Sequence, residues 1–197
     1  MIYDALKYIQ EGLDQYLTEV GQSPLTGSIV TLDNVGLAEE LGGTKDSLNQ
    51  QVIISLVNLQ EEAALKNLPN YTVRNGRTEY ERPPIHLNLF ILISVLDIDN
   101  YEVALRRISS VVAYFQAQRE FSFQHTPTMA EYSQEVRVIM DLYTLTFEQL
   151  NHLWGALGGK QIPFVLYKAR VVPVSAEKPQ AEGSVITDIY VNESSAS

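Results

Sequence analysis

The chain has 197 residues, 45% of them hydrophobic, with 14 Lys and Arg against 24 Asp and Glu, a formal net charge of −10. This length fits one domain, or one domain and a tail, and the hydrophobic content is ordinary for a globular core. The acidity disfavours nucleic acid and anionic membrane surfaces as partners, because both select basic proteins, and the absence of cysteine excludes disulfides and thiolate catalysis.

From Met1 to Val20, Ile2, Ala5, Leu6, Ile9, Leu13, Tyr16, Leu17 and Val20 recur at helical spacing, with Asp4, Glu11, Asp14 and Glu19 outward or flanking. This predicts a core-covering helix rather than a signal peptide, since no basic region precedes an apolar run. Gly21 and Pro24 stop it. Ser28 to Val35 reads as a short strand. Gly42-Gly43-Thr44-Lys45 reads as a flexible turn, because the spacing of a phosphate-binding loop is absent. Val52 to Leu65 is a long strand by its β-branched start, although its Glu-Glu-Ala-Ala-Leu end suits a helix. Lys66 to Arg82 is polar, holds the turn signal Asn75-Gly76, and reads as a loop or exposed hairpin.

Pro83 to Leu96 is the spine of the domain. Ile85, Leu87, Leu89, Ile91, Ile93 and Val95 make one face apolar, and Phe90 and Leu92 make the other apolar in mid-strand, so this is a central strand covered on both sides. Asp99, with Glu102 three residues on, predicts a capped helix reaching about Gln118 on Tyr101, Leu105, Ile108, Val111, Val112 and Phe115. Glu120 to Tyr132 reads as irregular. Glu135 to Leu145 is a further strand, and Thr146-Phe147-Glu148-Gln149 is a capping box opening a short helix with Leu150, Leu153, Trp154 and Leu157. Gly158-Gly159 ends that helix, Trp154 reads as a core anchor, and Ile162 to Val174 is the last strand. The expected fold is α/β (α+β), a single mixed β-sheet covered by helices over residues 1–174. Residues 175–197 read as an acidic flexible tail containing a β-prone run, Ser184 to Val191, able to add to a neighbour's sheet edge.

No catalytic, cofactor-binding or metal-binding residue stands out. His86, His125 and His152 lie far apart with no ligand spacing, and neither a nucleophile elbow nor a dinucleotide fingerprint is present. Capping explains Asp99 better than a metal or acid–base pair with Asp97 does. The candidate partner contacts are Arg74, Arg77 and Arg82 in the polar segment and Tyr190 in the tail. The alternative is an enzyme or small-ligand-binding domain with a site around Asp97, Asp99, His86 or His152.

Several stretches, in order, resemble the cap or tail-terminator proteins of extracellular contractile injection systems, phage-tail-like particles of the antifeeding-prophage type. They are the N-terminal helix, Asn67-Leu68-Pro69, Pro83-Pro84-Ile85-His86-Leu87-Asn88-Leu89 and Tyr101-Glu102-Val103-Ala104-Leu105. Leu142-Tyr143-Thr144-Leu145-Thr146-Phe147-Glu148-Gln149 follows, and the densest match is Asn151-His152-Leu153-Trp154-Gly155-Ala156-Leu157-Gly158-Gly159-Lys160, running on through Pro163 to Val172. The resemblance covers roughly residues 1–174 and leaves the tail outside. It implies a structural, non-enzymatic protein without cofactors, forming a hexameric ring on the last layer of inner tube and sheath. The ring would end polymerisation and anchor the distal sheath. The implied partners are the chain itself, tube and sheath subunits, with no nucleic acid and no membrane insertion. Assembly is expected in the cytoplasm of a bacterium, within a particle released extracellularly.

Overall fold

The computed structural model describes residues 1–22, 27–37, 49–62, 71–74, 77–80, 86–97, 100–125, 134–158, 160–173 and 181–184. In chain order the elements are α1 (Ile2–Glu19), β1 (Val30–Leu32), a 3-10 turn (Val35–Leu37), β2 (Gln51–Glu61), β3 (Tyr71–Arg74), β4 (Arg77–Tyr80) and β5 (Leu87–Leu96). They continue with α2 (Tyr101–Ala117), β6 (Glu120–His125), β7 (Gln134–Leu142), α3 (Phe147–Ala156), β8 (Phe164–Pro173) and β9 (Ala181–Ser184). Six strands form one sheet in the order β1-β2-β5-β8-β7-β6, and β3-β4-β9 form a second. The β1–β2 pair is parallel and the other described pairs are antiparallel, so the main sheet is mixed as expected.

The spine strand is interior, between β2 and β8, because both of its faces are apolar. Leu89, Ile91, Ile93 and Val95 face the larger core with α1 and α2. Leu92 faces the smaller one with Ile53, Val35, Leu166 and Trp154 of α3. Each of these aliphatic side chains contributes roughly 1.5–3 kcal/mol through burial. A bulge between Leu56 and Asn58 shifts the β2–β5 register. Pro83 and Pro84 lie outside the described residues.

Helix α1 buries Ala5, Ile9, Leu13 and Leu17, the expected stripe. It ends at Gly21 (φ 77°), where Gln22 N donates to Leu17 O at 3.0 Å and Gly21 N to Thr18 O at 3.1 Å, a Schellman closure. Polar side chains tie the same helix to both outer strands of the sheet. Gln10 Nε2 donates to Val30 O at 2.7 Å, and Asp14 Oδ1 accepts from Ile29 N (2.7 Å) and Val30 N (2.9 Å). At the opposite edge Tyr8 stacks on Phe123 at 5.5 Å, and His125 Nδ1 lies 2.8 Å from Asp4 Oδ2. The sheet therefore curls around α1, which shields the backbone of its shortest edge strand.

Four local expectations need correction. The stretch after Glu120 is not irregular: Glu120–His125 is a strand paired with β7, because Phe121 and Phe123 alternate toward the core. The cap of α2 is Asn100, whose Oδ1 accepts from Val103 N at 3.3 Å; Asp99 lies outside the described residues. The buried face of α2 is Ala104, Arg107, Val111, Tyr114 and Phe115, while Tyr101 and Leu105 are exposed. Finally, β1 covers three residues of the expected Ser28–Val35 strand, and Val35 belongs to the following 3-10 turn. In the tail, Ala181–Ser184 pairs with β4, and the rest of the Ser184–Val191 run lies outside the described residues. Gly42 to Lys45 lies there too.

Candidate interaction surface

Among the described residues of the enzyme alternative, His86 and Asp97 do not converge. His86 precedes β5 and Asp97 follows it, so an extended strand of about 35 Å separates them. Asp97 instead holds the fold together, since its Oδ1 accepts from Asn100 N at 2.9 Å and its Oδ2 stands 4.0 Å from Arg107 Nη1. Arg107 also donates to Gln50 O at 2.6 Å, holding a residue at φ 61° just before β2. Burial lowers the guanidinium pKa of Arg107 and the nearby Asp97 charge opposes that shift. His152 is exposed on α3, and His125 is engaged with Asp4. Trp154 is 5% exposed and meets Phe164 edge-on at 5.4 Å, which makes it the core anchor of α3.

Of the partner-contact candidates, Arg74 and Arg77 stand opposite one another in register at the end of the β3–β4 hairpin. Arg82 and Tyr190 lie outside the described residues. The hairpin expected from Asn75-Gly76 is present as paired strands, joined through residues outside the described set.

Two surface features did not emerge from composition or pattern. One is an exposed apolar cluster along the β7–α3 turn: Phe147 is 86% exposed, Leu142 60% and Tyr143 37%. The other is a groove of about 490 Å³ between α1 and α2. Glu11, Gln15 and Glu19 form its rim, Tyr8 and Tyr16 its walls, and Tyr114 its floor. Tyr114 packs against Tyr16 (5.2 Å), Phe115 (5.0 Å) and Phe121 (5.9 Å), and burial pushes its hydroxyl pKa up to about 12. Its Oη passes over Gly12, where an added Cβ would collide with it. The sequence signal for this close approach is a glycine inside an otherwise regular helical pattern. Among the described residues no cluster of three or more His, Asp or Glu side chains could hold a metal, and no helix is long and apolar enough to cross a membrane.

The family model for the Pvc16 N-terminal domain matches residues 5–188. No curated protein matches the chain. Among solved structures, the sheath/tube terminator of PVC, an extracellular contractile injection system, in its extended state superposes with a TM-score of 0.58 at 16% identity, over 100% of this chain and 64% of that one. The tube-terminating cap of the anti-feeding prophage superposes with a TM-score of 0.54 at 14% identity, over 98% of this chain and 61% of that one. At these identities the likeness is one of fold, and the chain spans less than two thirds of either protein.

Proposed function

Because the chain belongs to the Pvc16 N-terminal domain family, we propose that it is a structural cap, a tail terminator of a contractile injection system. The observation that carries this reading is the family match, which runs from residue 5 to residue 188 and so takes in both sheets. The fold shared with two terminators supports it. Copies of the chain form a six-membered ring on the last layer of inner tube and sheath, ending polymerisation and anchoring the distal sheath. Closure of such a ring requires each copy to offer two different, complementary surfaces. Arg74, Arg77, Arg82 and Tyr190 are the residues proposed for partner contact, with the exposed turn of Leu142, Tyr143 and Phe147 as an apolar counterpart. Assembly in the bacterial cytoplasm precedes release of the particle.

Electron microscopy of particles made with and without the gene tests the proposal. With it, tubes and sheaths end at a uniform length, with ring density at the end opposite the baseplate. Uniform, normally terminated particles in its absence would refute it.

A further inference from the structure

The groove between α1 and α2 joins an acidic rim to a buried hydroxyl. Tyr8, Glu11, Gly12, Gln15, Tyr16 and Glu19 recur at helical spacing along its α1 side, and no Lys or Arg among the described residues lines it. Glu11 and Glu19 stand two turns apart, about 12 Å along the helix axis. Glu11 Oε1 is 3.7 Å from Lys7 Nζ in an exposed pair of little strength, and Glu19 Oε1 accepts from Gln15 Nε2 at 2.9 Å. Each of these contacts engages one carboxylate oxygen. Tyr114 forms the floor. It is 7% exposed, its hydroxyl makes no hydrogen bond among the described residues, and Gly12 leaves the room that its Oη occupies. A buried hydroxyl without a partner is uncommon, because its desolvation goes uncompensated until a donor or acceptor reaches it.

The group that fits is cationic, lies flat against tyrosine and donates to a phenol oxygen. A guanidinium does all three, since it is planar, forks onto carboxylates and carries further N–H groups. An ammonium meets the charge but not the stacking. The chain itself is a poor source of such a group. Copies with a formal net charge of −10 repel one another, and Lys7, Arg106, Arg107, Arg137, Lys168 and Arg170 each stand within 4.0 Å of a carboxylate of their own chain. We propose that the α1–α2 groove is a docking site for an arginine-bearing segment of a protein other than this chain. One guanidinium stacks on the tyrosine walls and donates to Tyr114 Oη and Glu11, and Glu19 takes a second cation of the same segment. This contact is separate from ring closure, so the isolated full-length chain suffices to test it.

The probe is a dye-labelled peptide, Gly-Arg-Gly-Ser-Gly-Arg-Gly, titrated with the full-length chain and followed by fluorescence anisotropy. Salt is held at about 0.1 M, where exposed charges more than about 10 Å apart are screened. The same peptide with lysine, or with neutral citrulline, in place of both arginines is run beside it. The arginine peptide should bind about fivefold tighter than the lysine peptide, and the citrulline peptide should not bind. Tyr114→Phe, which keeps the ring, should weaken arginine binding about fivefold, the loss of one hydrogen bond from a charged donor. Glu19→Gln should weaken it to a similar degree. Glu148→Gln removes the same charge from the exposed start of α3 and should leave binding unchanged. Unchanged thermal midpoints show that the variants are folded. Absence of binding, equal affinity for arginine and lysine peptides, or an equal loss with Glu148→Gln overturns the proposal. Free arginine amide binding as tightly as the peptide makes this a small-molecule site and overturns the docking reading. A dimer of the chain that Tyr114→Phe or Glu19→Gln dissolves gives the groove to a second copy and overturns it as well.

Discussion

Gly12 decides how closely α1 and α2 approach. In a helix interior glycine costs about 1 kcal/mol relative to alanine. Gly12→Ala would nevertheless destabilise the protein, because the new methyl meets Tyr114 Oη and the ring cannot withdraw from between Tyr16, Phe115 and Phe121. Overpacking of this kind costs about 1–3 kcal/mol, so the net loss should be up to about 2 kcal/mol in urea unfolding. Adding Tyr114→Phe removes the oxygen and should restore most of the loss. A stabilising Gly12→Ala would show that the two helices are not in this contact. Asp4 carries a pH dependence. Its carboxyl pKa is lowered chiefly by the hydrogen bond from the Met1 amine, with His125 adding to the effect and burial opposing it. The ionised form thus belongs to the folded state. Its stabilisation is present above the usual carboxylate range, about pH 4, and is lost as pH falls through the lowered folded-state value. Asp4→Asn should flatten the thermal midpoint against pH in the acid limb and leave the neutral region of the curve parallel. An unaltered acid limb would rule out this contribution. Arg107 shows where residue-scale legibility stops. Nothing in its sequence neighbourhood marks it as buried; only the proximity of Gln50 O and Asp97 makes that position tolerable for a charge.

Elements with strong periodicity or unambiguous punctuation are readable. The spine strand, the α1 stripe with its Gly21 stop, and the Thr146–Gln149 capping box all take their expected form, the last with bonds of 3.0 and 3.3 Å. Leu89 is 0% exposed on the doubly covered spine, so Leu89→Asp should abolish the folded state, read as loss of the cooperative thermal transition. A soluble, cooperatively melting Leu89→Asp variant would contradict the burial of β5. Strand β6 escapes a sequence reading because six residues give only three alternations, and Phe121 and Phe123 gain meaning only when β7 and α1 stand on either side. The phase of α2 is misleading for a related reason. Tyr101 and Leu105 are apolar and correctly spaced, but the first turns of the helix turn Ala104 and Arg107 inward and leave those two in solvent.

At the scale of the molecule, the six-stranded sheet is complete at Pro173, while β9 belongs to the small sheet. Deleting residues 175–197 should leave the main thermal transition within about 2 °C of the intact chain, while amides of β3 and β4 exchange faster, because an isolated two-stranded hairpin is marginal in water. A large fall in the midpoint would show that the tail packs on the main body. By itself the sequence determined the α+β class, the central strand, the stops of α1 and α3, the capping box of α3 and the ordered motifs that resemble tail terminators. These are properties of neighbours along the chain, where periodicity and capping act over a few residues. The tertiary structure alone decided that α1 is tied to both edges of a curled sheet, that a buried arginine steadies the start of β2, and that Tyr114 floors an acidic groove opened by Gly12. Each joins residues tens of positions apart, and no local pattern encodes the distance between side chains that meet only after the sheet has closed around the helix.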